Sequence, residues 1–134
     1  MGNNSEAAGK WFDILARGAV AEWDGFVDPD FSMHVPLMPG EPETPTVGLE
    51  PNRARVGQLW QAWESFEFAD TDIHASADDP EVVFATTNSK AKTVWGAAYQ
   101  NRYVIRLRFR DGKLVEHLEF MDPRPVLAAF EGHL

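Results

Sequence analysis

The chain has 134 residues, of which 44% are hydrophobic and 25% charged, with a formal net charge of −9 and no cysteine. This composition is typical of a folded globular protein, and the length predicts one domain, residues 1–134, around a single core. The negative charge argues against binding to nucleic acid or to an anionic membrane, and the lack of cysteine excludes disulfides and thiolate chemistry.

The sequence contains no predicted membrane span and no secretory signal. No apolar run is long enough for a transmembrane helix, and the opening MGNNSEAAGK lacks the basic and apolar regions of a signal peptide. We therefore expect a cytoplasmic protein whose partner is a small molecule or another protein.

The first third of the chain predicts a helix followed by a short strand. Asn4 or Ser5 is a suitable N-cap, and apolar residues then recur at helical spacing until Gly18, where we expect a break or a kink. After a turn at 28–30, apolar and polar side chains alternate over 31–35, as in a strand.

A proline-rich loop and a second helix follow. Four prolines over 36–48 predict a loop that borders a pocket entrance, with Leu37 and Met38 as its contacts. The second helix begins at 50–51 with proline at its first position. Its predicted apolar face carries Val56, Leu59, Trp60 and Trp63.

The rest of the chain predicts strands and a short final turn or helix. The strands are placed at 66–77, 81–90, 92–109 and 113–122, with breaks at 78–81, 89–92 and 110–113 and the final segment at 125–134. Helices followed by antiparallel strands indicate the α+β class, with the helices packed on one face of a curved, mostly antiparallel sheet.

The turn at 111–112 leaves two strand registers open. A two-residue primed turn would pair Arg110 with Lys113, whereas a type I turn with a bulge would pair Phe109 with Lys113. We favour the second register, because it gives one face that is almost all apolar or aromatic and another that carries the opposite-charge pair Arg106 and Glu116.

The favoured register places His117 opposite Ile105 and Glu119 opposite Tyr103, on the apolar face that covers the core. Arg106 then lies opposite Glu116 on the other face. The face of His117 and Glu119 would also carry Val115 and Met121, and of the polar residues Tyr99, Asn101 and Tyr103 it would carry only Tyr103. The opposite face would carry Val104, Leu114, Leu118 and Phe120, too many apolar residues to leave in water, so we expect a homodimer.

His117 and Glu119 are the candidate catalytic residues. A carboxylate on an apolar face is costly to ionise, which suits it to proton transfer near neutral pH, and the histidine would orient or share the proton. The alternative is that both are structural residues satisfied by their neighbours. Ligand contacts are predicted for Tyr103, Trp60, Trp95, Trp11, His34 and Met121, although tryptophans belong to the core by default. No zinc spacing or phosphate-binding glycine loop occurs, so we expect neither metal nor cofactor.

The stretch YQNRYVIRLRFRDGKLVEHLEFMDPRPVLAAF, residues 99–130, resembles the SnoaL-like, ketosteroid-isomerase-like branch of the nuclear transport factor 2 superfamily. Within that branch it is most similar to the phenazine-biosynthesis A/B proteins, through its asparagine, its DGK turn and its EFM motif. The resemblance implies a cone-shaped α+β domain, often dimeric, with a deep pocket between helices and sheet. It assigns acid–base catalysis to Glu119, and it places Arg55 where those proteins carry a pocket histidine.

These observations predict a cofactor-independent isomerase, cyclase or dehydratase that acts on a small apolar or aromatic substrate. The superfamily also contains non-catalytic binders, so a ligand-binding module of the same fold remains the alternative. An interaction domain that uses the outer face of the sheet is a third hypothesis.

Overall fold

The computed structural model describes residues 4–40 and 44–133, which form one six-stranded sheet with helices against it. The elements are α1 (Ser5–Arg17), α2 (Val20–Phe26), β1 (Val27–His34), β2 (Thr46–Val47), α3 (Leu49–Ala62), β3 (Trp63–Ala75), β4 (Val82–Thr93), β5 (Ala98–Arg110), β6 (Lys113–Met121) and α4 (Pro123–Ala129). No helix within these ranges has the length and apolar character needed to cross a bilayer.

The strand order in the sheet is β2-β1-β6-β5-β4-β3. All neighbouring strands are antiparallel except β1 and β6, which run parallel. The α+β class, the N-terminal helices and the curved, mostly antiparallel sheet are thus confirmed.

The core lies between α1 and the inner face of the sheet. Strand β5 alternates strictly, with buried side chains at odd-numbered positions and exposed or half-buried ones at even-numbered positions. Helix α1 buries Ala8, Trp11, Phe12 and Ile14, and the ring of Phe12 meets that of Phe68 edge to face at 5.2 Å. The alternation fixes which residues can line a cavity above the sheet.

Gly18 ends α1, as the sequence predicts. Its φ of 62° lies in the left-handed region, where glycine is tolerated best, and its N–H donates to the carbonyl of Ile14. A Cβ at this position would lie 3.2 Å from the ring of Trp60. The close approach brings α3 against the end of α1, which positions one wall of the cavity described below.

Strand β1 is longer than predicted, and a short strand interrupts the predicted loop. β1 begins at Val27, because the turn at 28–30 is a local Asx turn, in which Asp30 N–H donates to Asp28 Oδ1 at 2.9 Å, inside a strand. Thr46–Val47 pairs with β1, so 36–48 is not wholly loop, and its residues 41–43 lie outside the described ones.

Asn52 connects β1, β2 and α3. Its side-chain amide, fully buried, donates to the carbonyl oxygens of Phe31 at 3.1 Å, Thr46 at 3.0 Å and Gly48 at 2.9 Å. One side chain therefore satisfies the backbone where a two-residue strand meets the start of a helix. Polar residues at helix starts are common, and nothing in the local sequence singled this one out.

Two element boundaries differ from the prediction. Trp63 is the first residue of β3 rather than part of the α3 face, because α3 passes directly into β3 without a glycine or proline to mark the change. The predicted break at 89–92 is wrong: β4 continues to Thr93, and the turn lies at 94–97 with Gly96 at φ 92°.

Neither predicted register of the β5–β6 hairpin is right. The turn is the two-residue primed type, with Asp111 and Gly112 both at positive φ and Arg110 opposite Lys113. A bulge at Val115 then shifts the register by one residue, so Ile105 lies opposite Glu119 and Leu107 opposite His117.

In this register the residue pairs differ from the predicted ones, but most side chains lie on the predicted face of the sheet. The shift from the favoured register is two residues in all, so His117 and Glu119 still lie on the inner face. Glu116 pairs with Arg108, and it contacts both Arg108 and Arg106. The bulge turns Leu114 inward, where it is fully buried opposite Phe109. Leu114 was therefore wrongly predicted for the outer face.

Candidate active site

A cavity of about 740 Å³ lies between α3, the C-terminal segment and the inner face of the sheet. Its walls come from every layer of the fold and are mostly apolar or aromatic. They are formed by Leu15, Met33, Val35, Met38, Arg55, Val56, Gln58, Leu59, Trp60, Gln61, Ala62, Trp63, Phe66, Phe68, Trp95, Tyr99, Tyr103, Glu119, Met121, Val126, Phe130 and His133. A cavity of this size and lining is typical of a small-molecule site.

Glu119 is the one acidic side chain among these lining residues. It lies on the inner face of β6, and its side chain is 18% exposed. Its Oε1 is 2.9 Å from Nε2 of His117. Among the described residues, Oε2 has no hydrogen-bond partner, so this oxygen is free to meet a ligand.

His117 lies behind Glu119 and is buried in the core. Its Nδ1 accepts a hydrogen bond from the indole Nε1–H of Trp11 at 3.0 Å. The two bonds form a chain from α1 through β6 to the cavity: Trp11, His117, Glu119. Trp11 itself is not among the lining residues, because His117 and Glu119 lie between it and the cavity.

A second polar network lies on β4 and β5. The hydroxyl of Tyr103 is 2.8 Å from both Ser89 Oγ and the hydroxyl of Tyr99, and Asn101 donates to Tyr99 at 2.8 Å. Asn101 also donates to the carbonyl of Asp122 at 2.9 Å, which attaches the network to the start of α4.

Burial keeps both phenols in this network neutral. Loss of hydration raises the pKa of Tyr103 strongly and that of Tyr99 as well, and the negative charge of Glu119 adds to the rise at both. The prediction that only Tyr103 shares the face of Glu119 is wrong, since residues two apart along a strand point the same way. Tyr99 lines the cavity too, and both tyrosines can act there only as neutral hydrogen-bonding groups.

The other predicted ligand contacts divide into two groups. Trp60, Trp95, Met121 and Arg55 line the cavity, whereas His34 does not. Arg55 reaches Oγ1 of Thr46 at 3.4 Å and is the one guanidinium among the lining residues.

The C-terminal segment closes one end of the cavity, a feature the sequence did not reveal. The rings of Trp95 and His133 stack at 3.9 Å with an interplanar angle of 8°, and Trp95 Nε1 donates to the carbonyl of Ala129 at 2.9 Å. Phe130 meets Trp95 edge to face at 5.2 Å. Other aromatic residues of the walls that sequence reasoning did not assign are Trp63, Phe66 and Phe68. The signal present was the alternate spacing of Phe66 and Phe68 on β3, which an irregularity in the pairing between Trp63 and Ser65 interrupts.

The predicted loop contact is present in part. Met38 lines the cavity, while Leu37 is 55% exposed and points elsewhere. In the part of the chain covered by 4–40 and 44–133, no three histidine or acidic side chains gather in a way that could hold a metal ion.

The fold is that of a small α+β domain with a cavity beside its sheet, and the sequence identifies the family. Residues 8–117 match the SnoaL-like domain, so the chain belongs to the SnoaL-like family. No curated protein sequence is significantly similar to the chain.

Solved structures show the same fold at low sequence identity. A phenazine biosynthesis-related protein from Pseudomonas aeruginosa has a TM-score of 0.77 at 18% identity, over 94% of this chain and 83% of that one. A candidate isomerase from Bacillus subtilis has a TM-score of 0.85 at 19% identity, over 96% and 93%. A candidate polyketide cyclase from Pseudomonas putida has a TM-score of 0.81 at 11% identity, over 96% and 98%.

Proposed function

We propose that the protein is a cofactor-independent enzyme that moves a proton on a small, flat, apolar carbonyl compound, as an isomerase, cyclase or dehydratase. The observation that carries this proposal is Glu119: a carboxylate in an aromatic cavity, held at one oxygen by His117 and, among residues 4–40 and 44–133, without a partner at the other. General acid–base catalysis needs such a group within hydrogen-bond reach of the reacting carbon.

The surroundings of Glu119 fit this chemistry. Removal of a proton beside a carbonyl places negative charge on the carbonyl oxygen, which a hydrogen-bond donor must stabilise. Tyr99 and Tyr103 are neutral donors on the same face. The names given to the structural neighbours, a phenazine biosynthesis-related protein, a candidate isomerase and a candidate polyketide cyclase, support the same class of reaction.

Deuterium exchange tests the proposal without knowledge of the natural substrate. β-Tetralone is a flat bicyclic ketone with exchangeable hydrogens beside its carbonyl, and proton NMR in deuterium oxide follows their loss. We expect the protein to accelerate this exchange above a matched buffer control, and we expect the ketone to quench tryptophan fluorescence as it enters the cavity.

The same experiment separates the enzyme from the ligand-binding module. Quenching that saturates, together with exchange no faster than in buffer for β-tetralone and for a panel of related flat ketones, would contradict catalysis and favour the binding module.

We also propose that the protein is a homodimer formed through the outer face of the sheet. Val104 is 50% exposed, Phe120 41% and Phe84 45%, and these side chains lie on neighbouring strands. A contiguous apolar patch on a small domain favours association. Sedimentation equilibrium on the order of tens of micromolar should give the mass of a dimer, and Phe120→Lys should shift it toward monomer. A wild-type protein that is monomeric at that concentration would contradict the proposal.

A further inference from the structure

We propose that Trp11 is a positioning residue that fixes the tautomer of His117, so that His117 is a permanent hydrogen-bond donor to Glu119 and not a second base. The catalytic consequence rests on the proposed function of Glu119, whereas the tautomer itself does not.

The hydrogen atoms that Trp11 and His117 can donate determine the tautomer of His117. An indole N–H can only donate, so the 3.0 Å contact from Trp11 Nε1 requires a bare, accepting Nδ1 on His117. A neutral imidazole carries one N–H, which must then lie on Nε2. This nitrogen is 2.9 Å from Oε1 of Glu119, the distance of a good hydrogen bond to an acceptor. Both contacts are satisfied by one protonation pattern.

Burial prevents other protonation patterns of His117 from replacing this one. Trp11 and His117 are both almost completely inaccessible, so no bulk water can take over either bond. A proton on Nδ1 would direct two N–H groups at each other across 3.0 Å. Trp11 cannot easily turn away, because its ring is stacked on Phe26 at 5.6 Å and meets Phe31 edge to face at 5.9 Å.

The elements packed around His117 bring few other ionisable groups to it. The buried positions of α1 are all uncharged, β1 places Met33 opposite His117, and β5 places Leu107 opposite it. The titratable side chains that line the cavity are Glu119, Tyr99 and Tyr103 on β5, Arg55 on α3 and His133 in the C-terminal segment. Glu119 is the one of these in direct contact with His117.

With His117 a fixed donor, Glu119 is the member of the Trp11–His117–Glu119 chain that exchanges a proton with the substrate. When a C–H bond beside a carbonyl breaks, the proton forms an O–H bond on Oε2, and the electron pair moves onto the substrate as an enolate. The proton can then return from Oε2 to another carbon, which re-forms the carbonyl. The site is thus built for proton removal and return by one carboxyl, as in an isomerisation, and not for a two-base relay.

Nitrogen-15 NMR of the histidine side chains tests the inference without a substrate. Long-range proton–nitrogen correlations distinguish a protonated ring nitrogen from a bare one, and His117→Leu identifies the signals by their loss. We expect His117 to have a bare Nδ1 and a protonated Nε2 in the wild-type protein. We also expect a coupling across the hydrogen bond between Trp11 Nε1 and His117 Nδ1.

Matched variants separate the hydrogen bond from simple packing. Trp11→Phe removes the donor, so His117 should lose its fixed tautomer. Trp23→Phe is the control, because Trp23 is equally buried but its Nε1 has no partner among the described residues. That variant should leave the His117 signals unchanged.

The outcomes are decisive in either direction. A protonated Nδ1 in the wild-type protein would overturn the inference, and so would a folded Trp11→Phe protein whose His117 keeps the same fixed tautomer. If Trp11→Phe does not fold, the wild-type tautomer and the coupling still decide. A fixed tautomer without deuterium exchange would refute the proposed function and leave this inference intact. Deuterium exchange by a protein whose His117 Nδ1 is protonated would support the proposed function and refute this inference.

Discussion

Glu119→Gln is expected to lower the rate of catalysed proton exchange by about 10²- to 10⁴-fold, the usual contribution of a general acid–base group. The amide cannot accept the substrate proton. Its oxygen can still accept the hydrogen bond from Nε2 of His117, so the side chain keeps its place and the fold should be unchanged. The measurement is deuterium exchange of β-tetralone, with thermal unfolding and circular dichroism to check the fold.

Glu116→Gln is the matched control for this variant. Glu116 lies on the same strand but on the outer face, where it forms ion pairs with Arg106 and Arg108. Such half-exposed pairs contribute little to stability, and the residue is remote from the cavity, so exchange should stay near the wild-type rate. Equal rates for Glu119→Gln and wild type would refute the catalytic role of Glu119 and leave the ligand-binding module as the better hypothesis.

Asn52→Ala is expected to destabilise the fold by about 1 to 3 kcal/mol, because two buried amide hydrogens that are shared among three carbonyl oxygens are lost. The carbonyl of Phe31 also accepts from Gly48 N–H at 2.8 Å, and the carbonyl of Gly48, the N-cap residue of α3, accepts the first bond of the helix, so the loss falls mainly on Thr46. Urea unfolding followed by tryptophan fluorescence measures the change.

Asn88→Ala provides the comparison. Asn88 is half-buried on β4 and donates only to the exposed side chain of Asp70 at 3.3 Å, so its loss should change the unfolding free energy by no more than about 0.5 kcal/mol. Similar costs for the two variants would contradict the role assigned to Asn52 as the connection between β1, β2 and α3.

The sequence predicted the layers of the fold better than the ends of its elements. Alternation of side chains is a direct consequence of strand geometry, so the inner face of β5 could be read from the sequence. The end of β4 could not, because its outer face carries Lys90 and Lys92 and its inner face carries only the small Ser89, Ala91 and Thr93. A strand made of such residues has the composition of a loop.

The sequence predicted which face of β6 carries the site residues, but not which side chains contact one another. His117 and Glu119 lie on the apolar side because side chains alternate between the two faces of a strand, and a register shift of two residues leaves each side chain on the same face. The hydrogen bond from Trp11 to His117 joins residues 106 positions apart. No local pattern specifies that pairing, so the sequence suggested Trp11 as a ligand contact, whereas the structure places it behind the histidine.

The bulge at Val115 has a consequence for anyone who redesigns this hairpin. With the two-residue turn at Asp111–Gly112 and no extra residue, Glu119 would lie opposite Val104 and point away from the cavity. The length of the turn and the presence of the bulge therefore decide together which face of β6 carries Glu119. Deletion of Val115 removes the extra residue, so it should straighten β6 and still leave Glu119 opposite Ile105, whereas a change that lets Val115 pair with Arg108 should move the acid to the outer face. Transplanting β6 into a related scaffold will preserve the site only when turn and bulge are moved together.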